Sequence, residues 1–259
     1  MSKLWEIKQS ATPKTLDLYI YSEITSDGYD WWTDEKIKSE TSASTLREKI
    51  DGYGEIDSIN IFINSLGGSC MEGNAIYNVL KRCKAYKTVY VDGFCCSVAS
   101  VIAMAGDRII MPRNTIMMIH NPWTYCCGNA AELRKAADDL EKMGESFNSV
   151  YLERSGGKVT AEELKSMLDA ETTLTAEECI KYGFADEFAD YNIDLEAAKT
   201  QIGQAARSQP KQYAEALRSI AAKLDKIPET AEPQQKQDFA EVAKSLFEKY
   251  FKTKGEKNA

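Results

Sequence analysis

Apolar and polar residues alternate, then recur at helical spacing, in a repeating order along the first part of the chain. Leu16, Leu18 and Ile20 interleave with Asp17, Tyr19 and Tyr21, the period-two pattern of a strand. A polar stretch over residues 27–42, carrying Tyr29, Trp31 and Trp32, predicts a loop or irregular connection. Ser44 stands where it would cap a helix running through Leu46 and Ile50. Residues 58–63 read as a second strand ending in the turn Asn64-Ser65-Leu66-Gly67-Gly68, and Ala75, Ile76, Val79 and Leu80 mark one face of the helix behind it. The unit then repeats. Residues 88–91 form a strand, Asp92-Gly93 breaks it, and residues 97–104 have helical composition. Two more strands, 108–111 and 115–119, flank the turn Pro112-Arg113-Asn114. This order predicts an α/β fold of crossover units on a largely parallel sheet. Such sheets bind ligands at the carboxyl ends of their strands, where both glycine-bearing turns fall.

Residues 129–153 predict one long helix, with Leu133, Ala137, Leu140, Met143, Phe147 and Val150 at helical spacing and Ser155-Gly156-Gly157 as its stop. Shorter helices follow over 161–168 and 176–182, the latter ended by Gly183, and residues 184–188 return as a strand. Past residue 192 the composition turns to Ala, Lys, Glu and Gln, with amphipathic stretches at 213–224 and 239–251 separated by a segment holding Pro228 and Pro233. The expected organisation is an N-terminal segment 1–15, an α/β domain 16–192 and a helical C-terminal appendage 193–259.

Composition removes several functions. A net charge of −8 argues against nucleic acid as a partner, and no apolar run reaches the roughly 20 residues of a membrane span. The first residues lack an apolar signal core, so the expected location is cytoplasmic. Seven cysteines, four of them in the adjacent pairs Cys95-Cys96 and Cys126-Cys127, match no disulfide framework and no usual zinc spacing. Reduced thiols, with no metal and no organic cofactor, are the expectation.

Only one histidine, His120, is present, so any imidazole base is that residue. It closes an apolar strand just before Asn121-Pro122, where the sheet should open to solvent. Ser97 lies between a strand and a helix, where the helix dipole and free N–H groups favour developing negative charge. The plainer alternatives are a structural histidine and a serine that merely caps its helix. Cys95 and Cys96 are rival nucleophiles on the incoming segment. Gly67-Gly68 would let backbone approach a carbonyl closely and turn N–H groups toward it, with the Val98 N–H as second donor.

These segments resemble the Clp protease family. Ile63-Asn64-Ser65-Leu66-Gly67-Gly68 is similar to its glycine turn, with Leu66 where a proline usually stands. Val91-Asp92-Gly93-Phe94-Cys95-Cys96-Ser97 resembles its nucleophile segment, with two cysteines in place of alanines. Met117-Met118-Ile119-His120-Asn121-Pro122 is similar to its histidine segment, and residues 175–186 to its C-terminal helix and strand. Residues 75–82, 101–108 and 120–124 look most like the phage head maturation proteases. The resemblance implies a ClpP/crotonase-like fold with a projecting handle helix, and a serine endopeptidase with Ser97 as nucleophile and His120 as base. It implies substrate binding at Gly67 and Gly68, an oxyanion hole from Gly68 and Val98, and Glu171 as orienting acid, with Asp169 competing. It further implies heptameric rings, a polypeptide substrate such as scaffold or capsid protein, and either ATP-independent action or an AAA+ unfoldase. A catalytically inactive ring and a crotonase-type acyl-CoA enzyme are the rival readings.

Overall fold

A computed structural model describes residues 5–30 and 32–191; the expected appendage with its two amphipathic stretches, Trp31 and residues 1–4 lie outside them. In chain order the elements are β1 (Trp5–Gln9), β2 (Thr15–Ile20), β3 (Gly28–Asp30), β4 (Glu35–Ile37), α1 (Ala43–Tyr53), β5 (Ser58–Ser65), α2 (Cys70–Arg82) and β6 (Tyr86–Cys96). They continue with α3 (Val98–Ala103), β7 (Arg108–Met111), β8 (Ile116–Ile119), α4 (Ala130–Ser155), α5 (Ala161–Asp169), β9 (Thr172–Thr175), α6 (Ala176–Tyr182) and β10 (Glu187–Phe188). The result is a mixed α/β fold on a mostly parallel central sheet.

The sheet runs β1-β2-β5-β6-β7-β10, with a fork at β6. β6 is long enough for two neighbours: Thr88, Val89 and Tyr90 pair with β7, whereas Phe94, Cys95 and Cys96 pair in parallel with β8. β9 returns antiparallel along β8. Alternate residues of β5 and β6, Ile59, Ile61, Ile63, Val89 and Val91, enter the core and are fully buried or nearly so. Each such side chain contributes roughly 1.5–3 kcal/mol. α3 is buried along its whole length beneath the fork.

Four local expectations are corrected. Residues 27–42 are not a plain loop but hold the β3–β4 hairpin, whose ends are tied by the Asp27 carboxylate accepting the Ser39 N–H and the Ser44 hydroxyl. Ser42, not Ser44, caps α1, its hydroxyl accepting from the Thr45 N–H. Asp92-Gly93 does not break a strand. The missing Cβ of Gly93 leaves room for the Asn64 side chain, whose Oδ1 accepts the Phe94 N–H at 3.0 Å, so β6 continues into its second partner. Within residues 184–188 only Glu187 and Phe188 pair as strand. In addition, β1 forms inside the expected N-terminal segment, antiparallel to β2.

α4 is divided between two environments. Asn129 closes a capping box with Glu132 at its start, and Gly156, with φ of 60°, ends it. Leu133 and Ala137 in the first half are exposed, whereas Phe147, Val150 and Tyr151 in the second are buried. The first half therefore stands off the core as a handle.

Candidate active site

Parallel pairing of β6 and β8 builds the site. Cys96 lies opposite Met118 and the Ser97 N–H donates to the Met118 carbonyl at 2.8 Å, so the residues that leave the two strand ends meet. There His120 Nε2 lies 2.8 Å from Ser97 Oγ. Ser97 occupies the N-cap position of α3, yet its side chain makes no capping bond, so the helix-cap reading does not describe it. Its backbone has φ of 55° and ψ of −134°, a conformation that non-glycine residues hold only when their surroundings impose it. The sharp bend lifts the hydroxyl off the helix end and points it at the imidazole.

His120 is half-buried, and desolvation pushes its pKa below the ordinary histidine value, partly offset by a hydrogen bond with the Asn121 backbone. A neutral imidazole at hydrogen-bond distance from a hydroxyl is equipped to take its proton. Cys95 and Cys96 do not share this position. Both are fully buried, and burial raises both thiol pKa values well above the ordinary value, which disfavours the reactive thiolate. Cys126 and Cys127 are exposed, and the described residues hold no group of His, Cys, Asp and Glu suited to a metal ion.

The glycine turn abuts the serine. A Cβ on Gly67, where φ is 97°, would lie 2.6 Å from Ser97 Cβ. The Gly67 carbonyl accepts the Ile24 N–H at 2.9 Å on the β2 side of β5. Because the peptide is trans, the Gly68 N–H points the opposite way, toward the β6 side that carries Ser97. Among the described residues no partner takes the Gly68 N–H or the Val98 N–H. A Cβ on Gly68, where φ is 145°, would lie 2.2 Å from the Ile24 carbonyl oxygen, so only glycine fits.

The two acids are placed differently. β8 and β9 pair Ile119 with Thr172, the last pair of that ladder on the His120 side, and Glu171, just before Thr172, has φ of 49°. Asp169, at the end of α5, is exposed and accepts from Asn121 Nδ2 and Lys165 Nζ, each at 2.8 Å. Those bonds hold its pKa below the usual carboxylate value.

Several supporting residues escaped the sequence reading. Gly73, inside α2, leaves the space Val98 occupies, since a Cβ there would lie 2.0 Å from Val98 Cγ2. A glycine in a helix interior is the signal that could have found it. Asn64 braces β6, as described above, and Ser100 and Tyr151 form a buried hydroxyl pair behind Ser97. Residues 36–192 of the chain match the family model described as Clp protease.

Proposed function

The chain belongs to the Clp protease family, a family of serine peptidases that act on polypeptides and form oligomeric rings, and from that premise we propose that it is itself a serine endopeptidase with Ser97, His120 and Glu171 as its triad. The observation that carries the reading is the 2.8 Å contact between Ser97 Oγ and His120 Nε2 at a serine held with positive φ.

In this mechanism a substrate segment lies along Gly67 and Gly68 with its carbonyl carbon against Ser97. His120 takes the hydroxyl proton as Oγ attacks. The carbonyl oxygen, now negative, accepts from the N–H groups of Gly68 and Val98, which have no other partner among the described residues. Glu171, beside the end of the β8–β9 ladder, holds the imidazole tautomer and stabilises the imidazolium. His120 then protonates the leaving amine, and a water activated by the same imidazole hydrolyses the acyl-enzyme. Every group required is supplied by side chains and backbone of the chain.

The substrates are scaffold and capsid proteins of a phage prohead, cut by a heptameric ring without ATP or with an unfoldase as partner. Support comes from the residues that resemble head maturation proteases: 75–82, 101–108 and 120–124. The test is co-expression with phage scaffold and capsid proteins, followed by mass spectrometry of their termini. New termini that vanish with Ser97→Ala support the reading. Intact scaffold and capsid beside an assembled wild-type ring support a catalytically inactive ring instead.

A further inference from the structure

Behind the nucleophile lies a buried chain of hydroxyls that the mechanism above does not use. Ser100 Oγ donates to the Ser97 carbonyl at 2.6 Å, and the Ser100 N–H donates to the same oxygen at 2.9 Å. Tyr151 OH lies 2.6 Å from Ser100 Oγ. A serine hydroxyl has one proton, and here it is committed to Ser97, so Tyr151 is the donor to Ser100. Burial raises the Tyr151 pKa, which keeps that proton in place. Ser100 and Tyr151 are both almost fully buried, and the tyrosine ring packs edge-on against Phe184 with centroids 5.7 Å apart.

We propose that Tyr151 and Ser100 are positioning residues that aim the Val98 N–H at the oxyanion by fixing the Ser97 carbonyl. This deepens the protease reading and rests on it. The Ser97–Val98 peptide is trans and planar, so its carbonyl and its N–H point in opposite directions. Two donors from Ser100 hold the carbonyl inward, and the Val98 N–H is thereby held outward on the side of the Ser97 hydroxyl. The peptide is otherwise easy to turn, because Ser97 sits at positive φ and gains by relaxing. Tyr151 brings a contribution from another element. It belongs to the buried half of α4, so the position of the handle helix is transmitted to the oxyanion donor through two hydroxyls.

The test is labelling by a fluorophosphonate, whose phosphoryl oxygen occupies the oxyanion position, followed by intact mass across concentration and pH. Variants are Tyr151→Phe, which keeps the ring, Ser100→Ala, and the double. The expected result is a maximal labelling rate about tenfold lower in Tyr151→Phe, less than the 10²–10³ cost of deleting a donor outright. The concentration for half-maximal rate, the pH midpoint and the ring assembly stay as in wild type. The double variant labels no more slowly than Ser100→Ala alone, because both act through one chain. Equal rates in wild type and Tyr151→Phe overturn the proposal, as does a drop seen only with weaker probe binding or lost assembly. An unlabelled wild type is a separate failure that overturns the protease reading itself, and the relay with it.

Discussion

Ser97 holds its hydroxyl in place at a backbone cost of about 1–3 kcal/mol, and neighbours without side chains make the position possible. Gly67→Ala would drive a Cβ to 2.6 Å from Ser97 Cβ, so fluorophosphonate labelling should fall by more than about 100-fold while circular dichroism stays native. His120 gives a pH prediction with a definite sign. Its folded pKa lies below the ordinary histidine value of 6.5, so the neutral base persists to lower pH, and the acid limb of the labelling rate should have its midpoint below 6.5. For the same reason its contribution to stability is present above pH 6.5 and is lost as pH falls from there toward the folded value. Glu171→Gln should cost about 10³-fold in rate, whereas Asp169→Asn, at an exposed position bound to Asn121 and Lys165, should cost under about tenfold. Single-turnover rates of the two variants decide between the acids. That Ser97, His120 and the glycine turn come together was legible because their signals are local: one histidine at a strand end, one serine at a helix start, a Gly-Gly turn. The acid was not legible from local pattern, because Glu171 and Asp169 lie close together in the chain, and the Ser100–Tyr151 pair joins residues 51 apart with no motif between them.

At the scale of elements, the fork in β6 is the feature on which the site depends. Its first half follows β7 and its second half follows β8, and without that change of partner Ser97 and His120 would not share a strand end. Hydrophobic periodicity gave the strand before Asp92-Gly93 and the helix after it but read the glycine as a break, because the amide that fills its missing Cβ comes from Asn64 on the neighbouring strand β5. The β3–β4 hairpin was hidden for a similar reason. Its residues are mostly exposed, so no alternation marks it, and polar bonds such as those of Asp27 close it instead. By contrast α2, α4 and α6 were legible, since apolar spacing and terminal glycine or serine agree there. Contact between α2 and α3 gives a prediction at this scale. Gly73→Ala would set a Cβ 2.0 Å from Val98 Cγ2, so the helices must part. The expected cost is about 1–3 kcal/mol of stability by denaturant titration, with slower labelling from the displaced Val98.

For the whole molecule, the sheet and α3 form a rigid base, and the first half of α4 carries apolar surface away from it. Leu133 on that half is 43% exposed, and Trp123 and Tyr125 in the segment before it are 58% and 80% exposed. Exposed apolar side chains of this kind are suited to an assembly face, in keeping with the rings that Clp proteases form. Leu133→Asp should therefore shift the sedimentation of the wild-type assembly toward smaller species without unfolding the domain. The extent of α4 was visible from the chain, but which half is buried was not, since Leu133 and Phe147 carry the same apolar signal. The central claim, an activated serine at Ser97, is tested most directly by intact-mass measurement of the assembled protein after fluorophosphonate treatment, beside Ser97→Ala. The account predicts one adduct per chain in the wild type and none in the variant. An adduct that survives Ser97→Ala, or an assembled wild type that stays unlabelled, would contradict it.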